Sequence, residues 1–151
     1  MEEINSLSWQ GCKEWLKAHP DTEGFDELGT NPGVCWVGAC YILDTLGTPF
    51  RNGTQQPPPY KNNMRVDELL NMRGWVHCVA DCDDEIHYFS LFIESEEKTT
   101  LVHVYGTLKK IEINLKNWIK LYKKGEWKKL FDIPKNAPAR NKVDSIILNR
   151  L

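Results

Sequence analysis

No apolar run in the 151-residue chain approaches the roughly 18 residues that a bilayer-spanning helix needs. Net charge is also scarce. A formal charge of −2 and an isoelectric point near 6.1 give no global attraction to nucleic acid or to an anionic membrane, and neither is expected as a partner. Met1-Glu2-Glu3 is acidic where a secretory leader would be basic, so the sequence reads as soluble and intracellular, with a cytoplasmic setting. Cysteine is too sparse for a disulfide scaffold: the five present are an odd number, which agrees with a reducing compartment. In that setting the Asn52-Gly53-Thr54 sequon would never meet a glycosylating enzyme. There is no phosphate-cradling glycine-rich loop and no internal repeat.

What the chain does have is the content of a folded domain, with 41 % hydrophobic and 11 % aromatic residues. One domain over residues 1–151 is expected. Ser6 or Ser8 caps a first helix ending near Ala18, with Trp9, Cys12, Trp15 and Leu16 on its apolar side and His19-Pro20 as its stop. From Thr48 to Asn63 the chain is rich in turn residues, among them Pro57-Pro58-Pro59, and can form one wall of a groove. Val66 to Met72 reads as a short helix, stopped by Gly74. Trp75–Ala80, Ile86–Glu94, Thr99–Tyr105 and Lys109–Asn114 then read as strands of an antiparallel meander. Leu115–Lys124 and Glu126–Phe131 read as helices whose lysines form a solvated face opposite Trp118, Ile119, Trp127 and Leu130. Asp144–Leu151 is read as a final helix over the core or a mobile end.

The most informative segment is Asn31-Pro32-Gly33-Val34-Cys35-Trp36, which places a thiol where a helix begins. Pro32 and Gly33 make the turn, and the apolar run behind Cys35 reaches Leu46 before Gly47 and Pro49 stop it. A thiol in a first helical turn lies beside unpaired N–H groups, whose partial positive charge favours the thiolate. The plainer alternative is that Cys35 is a small buried hydrophobe, the role expected of Cys40 on the same helix. A base is available at His87, which follows an acidic turn and opens an aromatic and β-branched run, Tyr88-Phe89-Ser90-Leu91-Phe92-Ile93. Its alternative is an exposed histidine at a strand edge.

A Cys-Trp pair at a helix start, a His-aromatic-Phe strand opening and a polar residue on the next strand together resemble the papain-like cysteine peptidases in their compact form. The resemblance covers about residues 29–125. It implies an α+β fold in which N-terminal helices, with the Cys35 helix among them, pack on a short antiparallel sheet, followed by C-terminal helices. It also implies a third residue, on the strand after the His87 strand, that orients the imidazole. There the only imidazole, amide or carboxyl side chain is His103, with Tyr105 and Thr107 next in line. Register decides the matter: pairing His87 with Thr107 puts His103 on the His87 face, whereas a slip of one residue turns it away. The family often draws an oxyanion donor from an amide shortly upstream of the cysteine, a role that falls on Asn31. The spacing to Cys35 is shorter than papain's, and Asn31-Pro32 also fits simple turn chemistry.

His77, Cys78, Cys82 and His87 form the one grouping that suggests zinc. Neighbouring His77 and Cys78 point to opposite faces of a strand, and two remaining cysteines fall short of a four-ligand site, so no metal is expected. No organic cofactor is implied either. The expected function is a small thiol hydrolase acting on a peptide, isopeptide or side-chain amide, with a protein or peptide as substrate. The alternative is a non-catalytic binding or adaptor domain on the same fold.

Overall fold

The computed structural model describes residues 2–20, 35–48, 62–82, 85–136 and 147–150. Three helices come first: α1 (Glu2–Ser6), α2 (Trp9–Ala18) and α3 (Cys35–Thr45). Ser8 caps α2, its side chain accepting from the Gly11 N–H at 2.9 Å, which satisfies one of the donors every helix start leaves open. The α2 face that repeats at helical spacing, Cys12, Trp15 and Leu16, is buried. Helix α3 is apolar almost throughout, and residues 36–43 are all buried.

Strand β1 (Asn62–Asn63) and a 3-10 turn (Val66–Asn71), where a short helix is expected from sequence, lead into β2 (Gly74–Cys82), β3 (Glu85–Ile93), β4 (Thr99–Tyr105) and β5 (Thr107–Ile113). Helices α4 (Leu115–Lys123) and α5 (Trp127–Leu130) follow, and β6 (Ile147–Arg150) ends the described chain. The protein is thus α+β. Its six strands lie in the order β1-β6-β2-β3-β4-β5, and the ladders from β1 through β4 are antiparallel.

The C-terminal expectation of a helix or mobile end is corrected by β6, which pairs Ile147–Leu148-Asn149–Arg150 with Asp81 back to Cys78 and with β1 on its other side. A short apolar run such as Ile146-Ile147-Leu148 has no period of its own to choose between helix and strand. The open edge of β2 supplies the partner that chooses. The hairpin joining β3 to β4 is closed by Ser95, whose carbonyl accepts from the Lys98 N–H (3.2 Å) and from the Thr99 hydroxyl (2.8 Å).

The described residues gather into two compact units. The first takes residues 1–59 together with 103–109, and the second takes 60–102 together with 110–151. In the first, α2 and α3 are joined by directional bonds. Trp15 donates its indole N–H to Asp44 at 2.7 Å, and the Tyr41 hydroxyl accepts from the Ser8 N–H at 3.0 Å while donating to the Ser6 carbonyl at 3.3 Å. Gly38 of α3 rests against Val104 of β4, so closely that any Cβ would overlap the valine methyl. In the second, the sheet face carrying Phe89 and Leu91 is covered by Trp118 of α4 and by Phe131 just after α5. Leu69, Leu91, Leu101, Leu115, Leu130 and Phe131 are each 0–1 % exposed and make up its centre.

Candidate functional site

Cys35 is the first residue of α3, where the sequence places a helix start, and is half-buried; Pro32 and Gly33 ahead of it lie outside the described residues. The other described thiols differ from it. Cys12, Cys40 and Cys78 are fully buried. Burial pushes the Cys12 thiol up to about 12. Burial does the same to Cys40, aided by the nearby Asp44 carboxylate and by Cys12. A thiol held that far above neutral pH is neither a nucleophile nor a ligand, so of the described cysteines Cys35 alone combines exposure with a helix start. Asn31, the residue given the oxyanion role, lies outside the described residues.

His87 sits near the start of β3 and is 4 % exposed, so the picture of an exposed edge histidine does not hold. Its ring meets Phe131 edge-on at 4.6 Å between centroids and Trp127 at 5.1 Å with an interplanar angle of 86°. Neither aromatic was attached to the imidazole by sequence, since both lie about forty residues further along, where they read only as the apolar side of a helix.

The β3–β4 ladder pairs Ser90 with Val102, Leu91 with Leu101, Phe92 with Thr100 and Ile93 with Thr99. Within the second unit, odd-numbered residues of β3 therefore share a face with Thr99 and Leu101 of β4. His103 is 1 % exposed. It belongs, with Tyr105 and Thr107, to the same compact unit as Cys35, whereas His87 belongs to the other. On β4 it is Val104, in the opposite row from His103, that meets α3 at Gly38.

The same alternation separates His77 from Cys78. Cys78 is 0 % exposed, while His77 is half-buried and its Nδ1 lies 2.8 Å from the hydroxyl of Ser90, its cross-strand partner. Among the described residues no group of three or more His, Cys, Asp or Glu side chains could hold a metal ion, and no helix is long and apolar enough to cross a membrane. No protein-family model, curated protein or solved structure matches the chain.

Proposed function

We propose that the protein is a thiol hydrolase of papain-like type, working on a peptide, isopeptide or side-chain amide in a reducing, intracellular setting. The observation that carries the reading is the contrast among the cysteines: Cys35 opens an eleven-residue helix and is half-buried, while Cys12 and Cys40 are sealed and held protonated. Supporting it, residues 103–109, which hold all three choices for the orienting residue, fold in the unit that carries Cys35.

In this scheme His87 takes the Cys35 proton and the thiolate attacks the amide carbonyl, with the Cys35 N–H and Asn31 holding the oxyanion. The C–N bond then breaks as His87 returns the proton to the leaving amine. Water, deprotonated by the same imidazole, cleaves the thioester to release the acid and restore the thiol. His103 acts by orienting His87. Acid–base work of this kind supplies roughly 10²–10⁴-fold of rate.

Alkylation with iodoacetamide at slightly acid pH, followed by mass-spectrometric mapping, tests the reading, because an ordinary thiol with a pKa of about 8.5 reacts slowly there. Cys35 should be modified first, and His87→Ala should remove that reactivity with the circular dichroism spectrum intact. A Cys35 no faster than Cys82, or one indifferent to His87→Ala, sinks it.

A second reading, a non-catalytic binding domain on the same fold, is favoured by the burial of both imidazoles, 4 % and 1 % exposed, with His87 set among rings as a core residue would be. Under it, His87→Ala lowers stability and leaves Cys35 reactivity unchanged.

A further inference from the structure

Strand β5 is the outermost of the described strands, with β4 on one side and no described strand on the other. An edge strand turns alternate N–H and C=O groups outward, each able to pair with another extended chain. The part of it in the second compact unit, Lys110–Ile113, alternates in character. Lys110 and Glu112 are exposed, whereas Ile111 and Ile113 are half-buried and turn toward α4. There they line a cavity of about 170 Å³ with Trp118, Leu121 and Leu130, large enough for an apolar side chain. Lys129 stands at this cavity and also lines a second one, of about 320 Å³, shared with Trp127, Lys128 and Lys135.

The charge around this groove is one-sided. Residues 110–136 hold eight lysines against Glu112, Glu126 and Asp132, a formal +5 in a chain of net −2 that falls to +3 once Glu96 and Asp67, the partners of Lys116 and Lys123, are counted; Lys129 lies 3.5 Å from Glu126, a half-exposed pair that a partner's carboxylate can join. A second copy of the chain would bring an equally basic face to the edge, whereas an acidic strand would meet opposite charge.

We propose that Lys110–Ile113 is a docking edge for an extended acidic peptide segment of a partner protein. The segment adds as a further strand beside β5, one apolar side chain enters the Ile111–Ile113–Leu121 cavity, and flanking carboxylates meet Lys129 and its neighbours. Main-chain pairing supplies the affinity, and the cavity and lysines choose the sequence. The inference does not depend on the chemistry of Cys35.

The probe is a capped octapeptide alternating Glu with Thr, Leu and Val, titrated into the full-length protein and followed by amide NMR and hydrogen exchange. Amides in Lys110–Ile113 should shift and exchange more slowly. Binding should weaken as salt rises, and Lys129→Glu should weaken it roughly three- to tenfold. Leu121→Asp should weaken it as well, with the unbound spectrum otherwise unchanged. The same peptide N-methylated along its backbone should not bind. Several outcomes overturn the proposal: no binding of the octapeptide, equal binding of the N-methylated peptide, or unmoved β5 amides. So would slowed β5 exchange that tracks self-association of the protein without peptide, or binding to phosphatidylserine vesicles in place of the peptide.

Discussion

The two helical pairs of this protein bury their apolar sides by different means. Between α2 and α3 the seam is fixed by directional bonds: the Trp15 indole to Asp44, the Ser8 amide to Tyr41, and Tyr41 back to Ser6. His19 joins them, donating from Nδ1 to the Trp15 carbonyl at 2.8 Å and lying 3.8 Å from Asp44 through Nε2. Around α4 and α5 rings dominate, with Phe131 touching His87, Phe89, Trp118 and Trp127 at 4.6–6.2 Å between centroids, alongside the buried bond from the Trp118 indole to the Leu130 carbonyl. Hydrogen bonds with fixed geometry restrict how α3 turns against α2. Edge-to-face contacts of about 0.5–1.5 kcal/mol each set the surroundings of an imidazole by packing.

Breaking the ring seam should have the larger effect. Phe131→Ala removes a fully buried ring at the centre of five aromatics and should cost about 4 kcal/mol in urea unfolding. It should also shift the His87 ring resonances by NMR, because two edge contacts become one. A loss under about 1 kcal/mol would mean that the cluster collapses to fill the gap. Next in size is the contact that α3 makes with β4. Gly38→Ala places a methyl on Val104, which must move, at a cost of about 3 kcal/mol. Val104→Ala should recover part of that loss in the double variant. An additive pair would show that Gly38 is needed for another reason.

The sealed thiols of the first unit sharpen the comparison through pH. Burial raises Cys12 and Cys40 from 9.0 to about 12, so the folded protein holds these protons where the unfolded chain releases them. Their contribution is whole below pH 9 and is lost as pH climbs toward 12. Thermal unfolding should therefore show stability falling above pH 9, by roughly 1–2 kcal/mol at pH 10. Cys12→Ala should flatten that slope even though it lowers stability at neutral pH. An unchanged slope would remove Cys12 from the effect.

Much of this architecture is legible in the sequence wherever the signal is local. Ser8 announces α2, the Pro32-Gly33 pair before Cys35 and the apolar run after it announce α3, and alternation with short polar turns announces β2 to β5. What depends on distant partners is not. Strand β6 exists because β2 has an open edge some seventy residues earlier, and nothing within Ile146-Ile147-Leu148 says so. The rings around His87 come from α5 and the residue after it, a segment whose own pattern gives only an amphipathic helix. Register falls between these cases. Parity can be reasoned from the Ser95 turn, but the pairing adopted, Ile93 with Thr99 through Ser90 with Val102, depends on how that turn closes.

Smallest of all should be the effect of the described ion pair that links α4 to the 3-10 turn. Lys123 Nζ lies 2.9 Å from Asp67 Oδ1, the shortest of the described salt bridges, yet both side chains are about half exposed, at 55 % and 43 %. Water screens such a pair, and ordering a lysine costs side-chain entropy, so exposed pairs are worth about 0–1 kcal/mol however short they are. Next to it, Trp118 is buried and donates its indole N–H to the Leu130 carbonyl at 3.1 Å, and the Asn114 side chain caps α4 through the Asn117 N–H. These hold the helix without help from the charge. Lys123→Ala should shift urea unfolding by less than about 0.5 kcal/mol, with no further change in high salt, and Asp67→Asn should match it. A loss approaching that of Phe131→Ala would show that an exposed charge pair holds the second unit as strongly as its rings do, and the weight placed on the ring seam would fail.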